Sequence, residues 1–220
     1  MDPSDLQQQA DLAGMRVRYT PGPLHEHEAA GSPFVQFRDW LAAAVAAGLV
    51  EPNAFVLATV GDGRPSSRLV LLKELDERGF VFYTNTGSRK AREIAANPSV
   101  SACFPWFAMA RQVVLQGKAE PIEPEAAEAY WRTRPRESQL GAWASDQSRP
   151  IADRATLHAR LAEVQERFAE GDDVPIPPGW GGYRIVPGEV EFWQGQPGRL
   201  HDRLCYRRSA DGWVRERLQP

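Results

Sequence analysis

The chain lacks any apolar run long enough to span a bilayer: the longest, "LAAAVAAGLV" at 41–50, is about ten residues, against the roughly 20 a membrane helix requires. It also lacks a surplus of positive charge. Lys plus Arg is 26 against 29 for Asp plus Glu, a net charge of −3, so the phosphate neutralisation behind nucleic-acid binding has no bulk source, although a local basic pocket is compatible with it. The first 20 residues are polar and include Asp2, Asp5 and Asp11, unlike the apolar core of a secretory signal. Cysteine is scarce. Cys103 and Cys205 each lie in an apolar, strand-like run with no Cys-x-x-Cys partner; buried free thiols in a reducing cytoplasm are expected, the alternative being a single disulfide. With only four histidines and those two distant cysteines, no metal site is expected. His25-x-His27, in a loop rich in Pro and Glu, reads as solvated.

What is present is ordinary globular material, 42% apolar and 25% charged over 220 residues, enough for one large domain or two small ones. Residues 1–30 are polar, contain Pro21-Gly22-Pro23 and read as a flexible or draped arm. Ser32 as cap, Pro33 at the first helical position and Gly48 as terminator predict a helix over about 33–47. Strand-like runs follow at 54–60, 66–75, 79–85, 99–106 and 111–122, the first three joined by the tight turns "GDGRP" and "DERG" and expected as an antiparallel meander. A helix from Ser88 interrupts the series. Helices are expected at 124–134 and 151–169, with 135–150 irregular or a short helix, then strands at 183–187, 189–195, 203–209 and 213–218. The fold class expected is mainly β with appended helices, an antiparallel barrel closed or half closed so that few edges are exposed.

Four stretches could carry chemistry. In "TNTGSRKAREIAANP" (84–98), Ser88 caps a helix with Ala91, Ile94 and Ala95 as its apolar stripe, and Arg89 and Lys90 fall in the first turn. Cations are disfavoured there by roughly 0.3–1 kcal/mol each. They either bend into solvent or help unpaired N–H groups hold a phosphate. In "RLVLLK", Arg68 and Lys73 should point to opposite faces unless a bulge intervenes. In "YWRTRPRESQ", Tyr130 and Arg134 share a helix face if the helix survives to Pro135, and Ser138 joins them only if the chain turns back. In "VEFWQGQPGRLHDR", Arg199, His201 and Arg203 would alternate onto one face if the segment is extended. His201 could serve as base, hydrogen-bond donor or structural residue.

Taken in order, "RLVLLK", "FYTNTGSRKAREIAANP", "FPWFAMARQV", "YWRTRPRESQLGAWASDQS" and "EFWQGQPGRLHDR" resemble the pyridoxine (pyridoxamine) 5′-phosphate oxidase family from about Arg16 to Pro220. The resemblance implies an FMN-binding split barrel over 31–220 and a homodimer with FMN at the subunit interface. By the same resemblance Arg68, Leu69, Val70, Leu71, Leu72, Lys73, Tyr83, Thr84, Ser88, Arg89, Lys90, Gln112, Gln147, Ser148, Trp193 and Arg203 are FMN contacts. Lys73, Tyr130, Arg134 and Ser138 clamp the substrate phosphate; Arg199, Leu200 and His201 lie at the substrate ring, Arg199 and His201 with catalytic roles. Arg16 and Tyr19 match an arm that closes over the site, although "RVRYTPGPLHEHEAAG" departs from the pattern after its Arg-x-x-Tyr spacing. The activity implied is oxidation of pyridoxine or pyridoxamine 5′-phosphate to pyridoxal 5′-phosphate with dioxygen as acceptor. The alternatives are a same-fold flavin oxidase of another pathway, such as phenazine biosynthesis, and a non-catalytic flavin- or pyridoxal-phosphate-binding protein.

Overall fold

The computed structural model describes residues 14, 15, 17–169, 171 and 173–220. Helix α1 (Pro33–Ala46) begins where expected, the Ser32 hydroxyl accepting the Phe34 N–H at 3.3 Å. It buries Phe34, Phe37, Trp40 and Ala44, at spacings of three, three and four, against the sheet. There they meet Phe55, Phe80, Phe104 and Phe192 in a core made largely of aromatic rings, each worth on the order of 2 kcal/mol on burial.

Nine strands form one antiparallel sheet: β1 (Ala54–Gly61), β2 (Arg64–Leu71), β3 (Glu74–Asp76), β4 (Gly79–Asn85), β5 (Ser99–Trp106), β6 (Arg111–Pro121), β7 (Trp180–Gln194), β8 (Asp202–Ser209) and β9 (Gly212–Arg217). The order is β2-β1-β5-β6-β7-β4-β3, with β8 on β7 and β9 on β8. Its two ends, β2 and β3, are separated in the chain only by Leu72 and Lys73, so the sheet must roll up to bring them together. No ladder joins those ends, and the barrel is split rather than closed.

The expected three-strand meander is therefore corrected. β1 and β2 pair from Ala54 opposite Leu71 to Gly61 opposite Arg64, but β4 pairs with β3 and β7. The run 66–75 breaks because consecutive residues change partner: the Leu72 N–H reaches the Asn53 carbonyl, and the Lys73 N–H the Val81 carbonyl, both at 2.9 Å. A second correction concerns 183–187 and 189–195, which form one continuous strand, β7. Pro187 does not end it. On the outer edge it falls between Ile185, the last partner of β4, and Glu189, the first partner of β8, where a missing N–H costs no ladder bond; on the other edge β6 adapts with a register shift at Gln116/Gly117.

Helix α2 (Arg89–Ala96) crosses beside β1. Helices α3 (Pro124–Thr133), α4 (Arg136–Ala144) and α5 (Arg154–Arg167) make a smaller layer around Trp131, Leu140 and Val174; α4 is the short helix within 135–150. Both cysteines are free thiols, Cys205 buried and Cys103 half-buried. No described helix is long and apolar enough to cross a membrane.

Candidate functional site: a cationic cleft and an aromatic row

The first turn of α2 resolves the puzzle of its cations. Ser88 caps the helix, its Oγ accepting the Ala91 N–H at 3.4 Å. The buried face is Lys90, Ala91, Glu93 and Ile94, whereas Ala95, expected in the apolar stripe, is exposed. Lys90 points inward and donates to Thr84 Oγ1 at 3.0 Å and Gln147 Oε1 at 2.7 Å. It forms no ion pair among the described residues, and burial first, then Arg68, pushes its pKa down to about 8. Arg89 turns back along the helix to Glu93, Nε to Oε1 at 2.7 Å. Arg68 reaches the same carboxylate at 3.2 Å. Glu93 also accepts the hydroxyls of Thr59 (2.5 Å) and Ser66 (2.6 Å); despite burial, these donors and Arg89 hold its pKa at about 2. Sequence reading passed over Glu93, although the four-residue spacing from Arg89 is the signal that finds it.

Lys90 opens onto a cleft of about 680 Å³ whose walls carry Leu69, Val70, Leu71, Lys73, Tyr83, Thr84, Tyr130, Arg134, Ser138 and Gln147, with Trp180 at one side. Its lining holds three cations, Lys73, Lys90 and Arg134, and no carboxylate. The Tyr83 and Tyr130 rings stack at 3.9 Å, and Lys73 Nζ lies 6.0 Å from the Tyr130 centroid. Helix α3 stops at Thr133, one residue short of Arg134, because Pro135 disfavours the helical region there. Arg134 lies over the Trp180 ring at 4.1 Å and donates to the Ser138 carbonyl at 2.8 Å, so the turn into α4 does bring Ser138 back. Arg134 Nε and Trp180 Nε1 are buried without a hydrogen-bond partner. Two expected cofactor residues lie elsewhere: the Leu72 side chain belongs to the core, since the partner change at 72–73 turns it inward, and Ser148, at φ 68°, is exposed and off the cleft wall.

The remaining expected residues gather at the other end of β7. Register places Gln112 of β6 opposite Trp193 of β7, and Trp193 opposite Arg203 of β8, one row across three strands with side chains on a common face. Trp193 and Tyr19 pack on His201 at 4.7 and 5.7 Å between centroids. A Cβ on Gly195 would stand 2.8 Å from Tyr19 Cγ, so only glycine leaves room for that ring. His201 Nδ1 accepts the Gln196 N–H at 3.1 Å; burial, then Arg199, lowers its pKa, which favours a neutral imidazole presenting Nε2–H as a donor. The expected alternation of Arg199, His201 and Arg203 is corrected: Pro197–Arg199 is a 3-10 turn with positive φ at Gly198 and Arg199, and extended backbone resumes only at Asp202. Leu200, beside that turn, is exposed. Arg203 is engaged by Glu191, Nε and Nη2 each at 2.8 Å. Arg16 lies outside the described residues. The described part of the arm is draped over the barrel: Leu24 is buried and donates its N–H to Asp202 at 3.0 Å, and Glu26 pairs with Arg217.

The cleft and the row do not meet within one chain. None of Tyr19, Gln112, Trp193, Arg199, His201 and Arg203 lines the cleft, and Trp180 and Trp193 are thirteen residues apart on one strand, roughly 40 Å of contour.

A split antiparallel barrel with a carboxylate-free cationic cleft walled by Tyr and Trp defines a protein class that receives anionic aromatic ligands. The comparisons are more specific. Residues 41–168 match the family model described as Pyridoxamine 5'-phosphate oxidase, and residues 180–220 the Pyridoxine 5'-phosphate oxidase C-terminal dimerisation region. A pyridoxine/pyridoxamine 5'-phosphate oxidase of Rubrobacter xylanophilus is 57% identical over 96% of this chain and 97% of that protein. The crystal structure of PhzG from Burkholderia lata with tetrahydrophenazine-1-carboxylic acid has a TM-score of 0.84 at 36% identity, covering 90% of this chain and 98% of that one. A pyridoxamine 5'-phosphate oxidase-related, FMN binding protein of Nostoc punctiforme shares the fold, TM-score 0.68 at 22% identity over 87% and 100%. The chain belongs to the pyridoxamine 5′-phosphate oxidase family and is an oxidoreductase with a C-terminal dimerisation region.

Proposed function

We propose that the protein oxidises the 4′ carbon of pyridoxine 5′-phosphate or pyridoxamine 5′-phosphate to the aldehyde of pyridoxal 5′-phosphate, with FMN as cofactor. The alcohol reaction consumes dioxygen and gives the aldehyde and hydrogen peroxide; the amine reaction also consumes water and releases ammonia. The observation that carries this reading is the cleft itself, with three cations, no carboxylate and an orphaned buried Arg134 Nε. A buried ammonium whose hydrogen bonds go to neutral oxygens is relieved by an anion, so Lys90, Arg89 and Ser88 as donors, with the Arg68 charge beside them, fit a cofactor phosphate. When bound, FMN would supply the two-electron redox chemistry between substrate and dioxygen.

The protein's part is binding and orientation. Lys73, Tyr130, Arg134 and Ser138 hold the substrate phosphate, and the Nε of Arg134 is a donor that the fold leaves unpaired among the described residues. Leu69, Val70 and Leu71 offer an apolar wall and backbone groups to the flavin, with Tyr83, Thr84 and Gln147 beside them. Arg199 orients the substrate ring, and His201, held by the Gln196 N–H, donates through Nε2. Because cleft and row sit at opposite ends of β7, the complete site joins the cleft of one protomer to Gln112, Trp193, Arg199, His201 and Arg203 of a second, through the dimerisation region that contains β7 to β9. On this reading the FMN sits at the subunit interface.

The likeness to PhzG favours a second reading, an oxidase of a phenazine-type acid. The Lys73, Tyr130, Arg134 and Ser138 clamp, suited to a phosphate, weighs against it. Anaerobic addition of pyridoxine 5′-phosphate to the FMN-loaded protein tests both. The visible flavin band is expected to bleach and to return on admitting air; a band that stays unbleached would reject the B6 substrate and turn attention to the second reading.

A further inference from the structure

We propose that Glu93 is a positioning residue for the cofactor phosphate, an internal carboxylate that holds Arg68 and Arg89 in the orientation the phosphate requires. The inference rests on the reading of the basic cluster as the FMN phosphate site. A carboxylate offers about four lone-pair positions, and Glu93 has four donors: Thr59 and Ser66 hydroxyls and Arg68 Nη2 at Oε2, and Arg89 Nε at Oε1. It is buried, with three donors converging on Oε2 and one on Oε1, a fixed part of the wall.

The two arginines are held differently. Arg68 is gripped at both terminal nitrogens, Nη1 by Thr59 Oγ1 at 2.6 Å and Nη2 by Ser66 Oγ at 2.5 Å as well as by Glu93. Among the described residues Arg89 is gripped at Nε alone, on a side chain that is 58% exposed. Its two terminal nitrogens remain available as a fork, the geometry that takes two oxygens of a phosphate. Without Glu93 nothing would draw Arg89 back along the helix, and the macrodipole would push it from the first turn into water. Arg68 and Lys90, which already repel each other, would lose the negative charge between their elements. The backbone makes room for the arrangement: a Cβ on Gly61 would stand 2.8 Å from Glu93 Cγ, so β1 presents a glycine where the carboxylate stem lies.

FMN and riboflavin share the ring and differ in the phosphate, so their dissociation constants, measured by flavin-fluorescence titration, separate positioning from packing. Wild type is expected to prefer FMN. Glu93→Gln is expected to weaken FMN at least tenfold and leave riboflavin within twofold, shrinking the preference about tenfold. An unchanged preference in Glu93→Gln overturns the proposal, whether both affinities fall together or neither moves. A wild type that binds the two flavins equally overturns the phosphate reading and the inference with it. Should Glu93→Gln not fold, Gly61→Ala displaces the carboxylate without removing its charge; a smaller loss of preference in that variant supports the proposal, and an intact preference overturns it.

Discussion

At one end of β7 the molecule buries charge; at the other it stacks rings. Around the cleft, Glu93 and Arg68 are held by hydrogen bonds among β1, β2 and α2, elements close in sequence, and Lys90 is held by Thr84 of β4 and by Gln147. The row at the other end is assembled from residues as distant as Tyr19, Gln112 and His201, and its arm is tied by an exposed pair between Glu26 and Arg217. A buried cation is positioned by its whole surroundings, whereas an exposed ion pair contributes about 0–1 kcal/mol. Substitutions at the two ends should therefore differ in size and in what they impair.

The largest effect is expected from Arg89→Ala combined with Lys90→Ala. Two charge-assisted hydrogen bonds at about 1.5–3 kcal/mol each correspond to at least a hundredfold loss of FMN affinity; undiminished flavin retention would remove the account of that helix end. Next, Arg134→Ala should raise the KM for pyridoxine 5′-phosphate about tenfold or more with FMN still bound, and unchanged steady-state kinetics would count against the clamp. Third, pH should act on the cleft through Lys90. Its pKa, pushed down to about 8 from 10.5, means that the folded, FMN-free protein binds fewer protons than the unfolded chain between those values, so its stability should rise with pH across that window. FMN binding should do the reverse, flat below pH 8 and weakening by up to tenfold per unit above it. Titrations at pH 7 to 9 that show no break would exclude Lys90 as a phosphate ligand. The smallest effect is expected from Arg217→Ala, which loosens the arm: KM should rise a few-fold and FMN affinity stay the same, the opposite pattern from the Arg89/Lys90 pair.

The elements were legible where local chemistry agreed with the fold. Ser32-Pro33 opened α1 and Ser88 opened α2, and the "GDGRP" turn joined β1 to β2. Illegible were the places where a distant partner overrides a local signal. Pro187 reads as a stop, yet β7 continues because its two halves have different outer neighbours. The run 66–75 reads as one strand, yet Asn53 and Val81 divide it. Of the expected site residues, Lys73, Tyr83, Thr84, Lys90, Tyr130, Arg134, Ser138 and Gln147 line one cleft, Leu72 and Ser148 do not, and Gln112, Trp193 and Arg203 share one row. Glu93 was missed because a carboxylate within a short helix reads as solvated until its four donors are known. The separation of cleft and row was invisible, since it depends on the length and curl of a single strand.

The arm is held in two ways along its length. Near its root, the Tyr206 hydroxyl and Arg215 donate to the Ala30 and Ala29 carbonyls at 2.7 Å. Toward Tyr19, the Glu26–Arg217 pair is open to solvent, with side chains 49% and 37% exposed, and a Debye length of about 8 Å in 0.15 M salt screens such a pair. Added salt loosens the ion pair and spares both the root and Leu24, which lies between Glu26 and Tyr19 and donates its N–H to Asp202. The ionic strength dependence expected of the substrate KM is therefore small, and the part of it due to the clasp is the part Arg217→Ala abolishes.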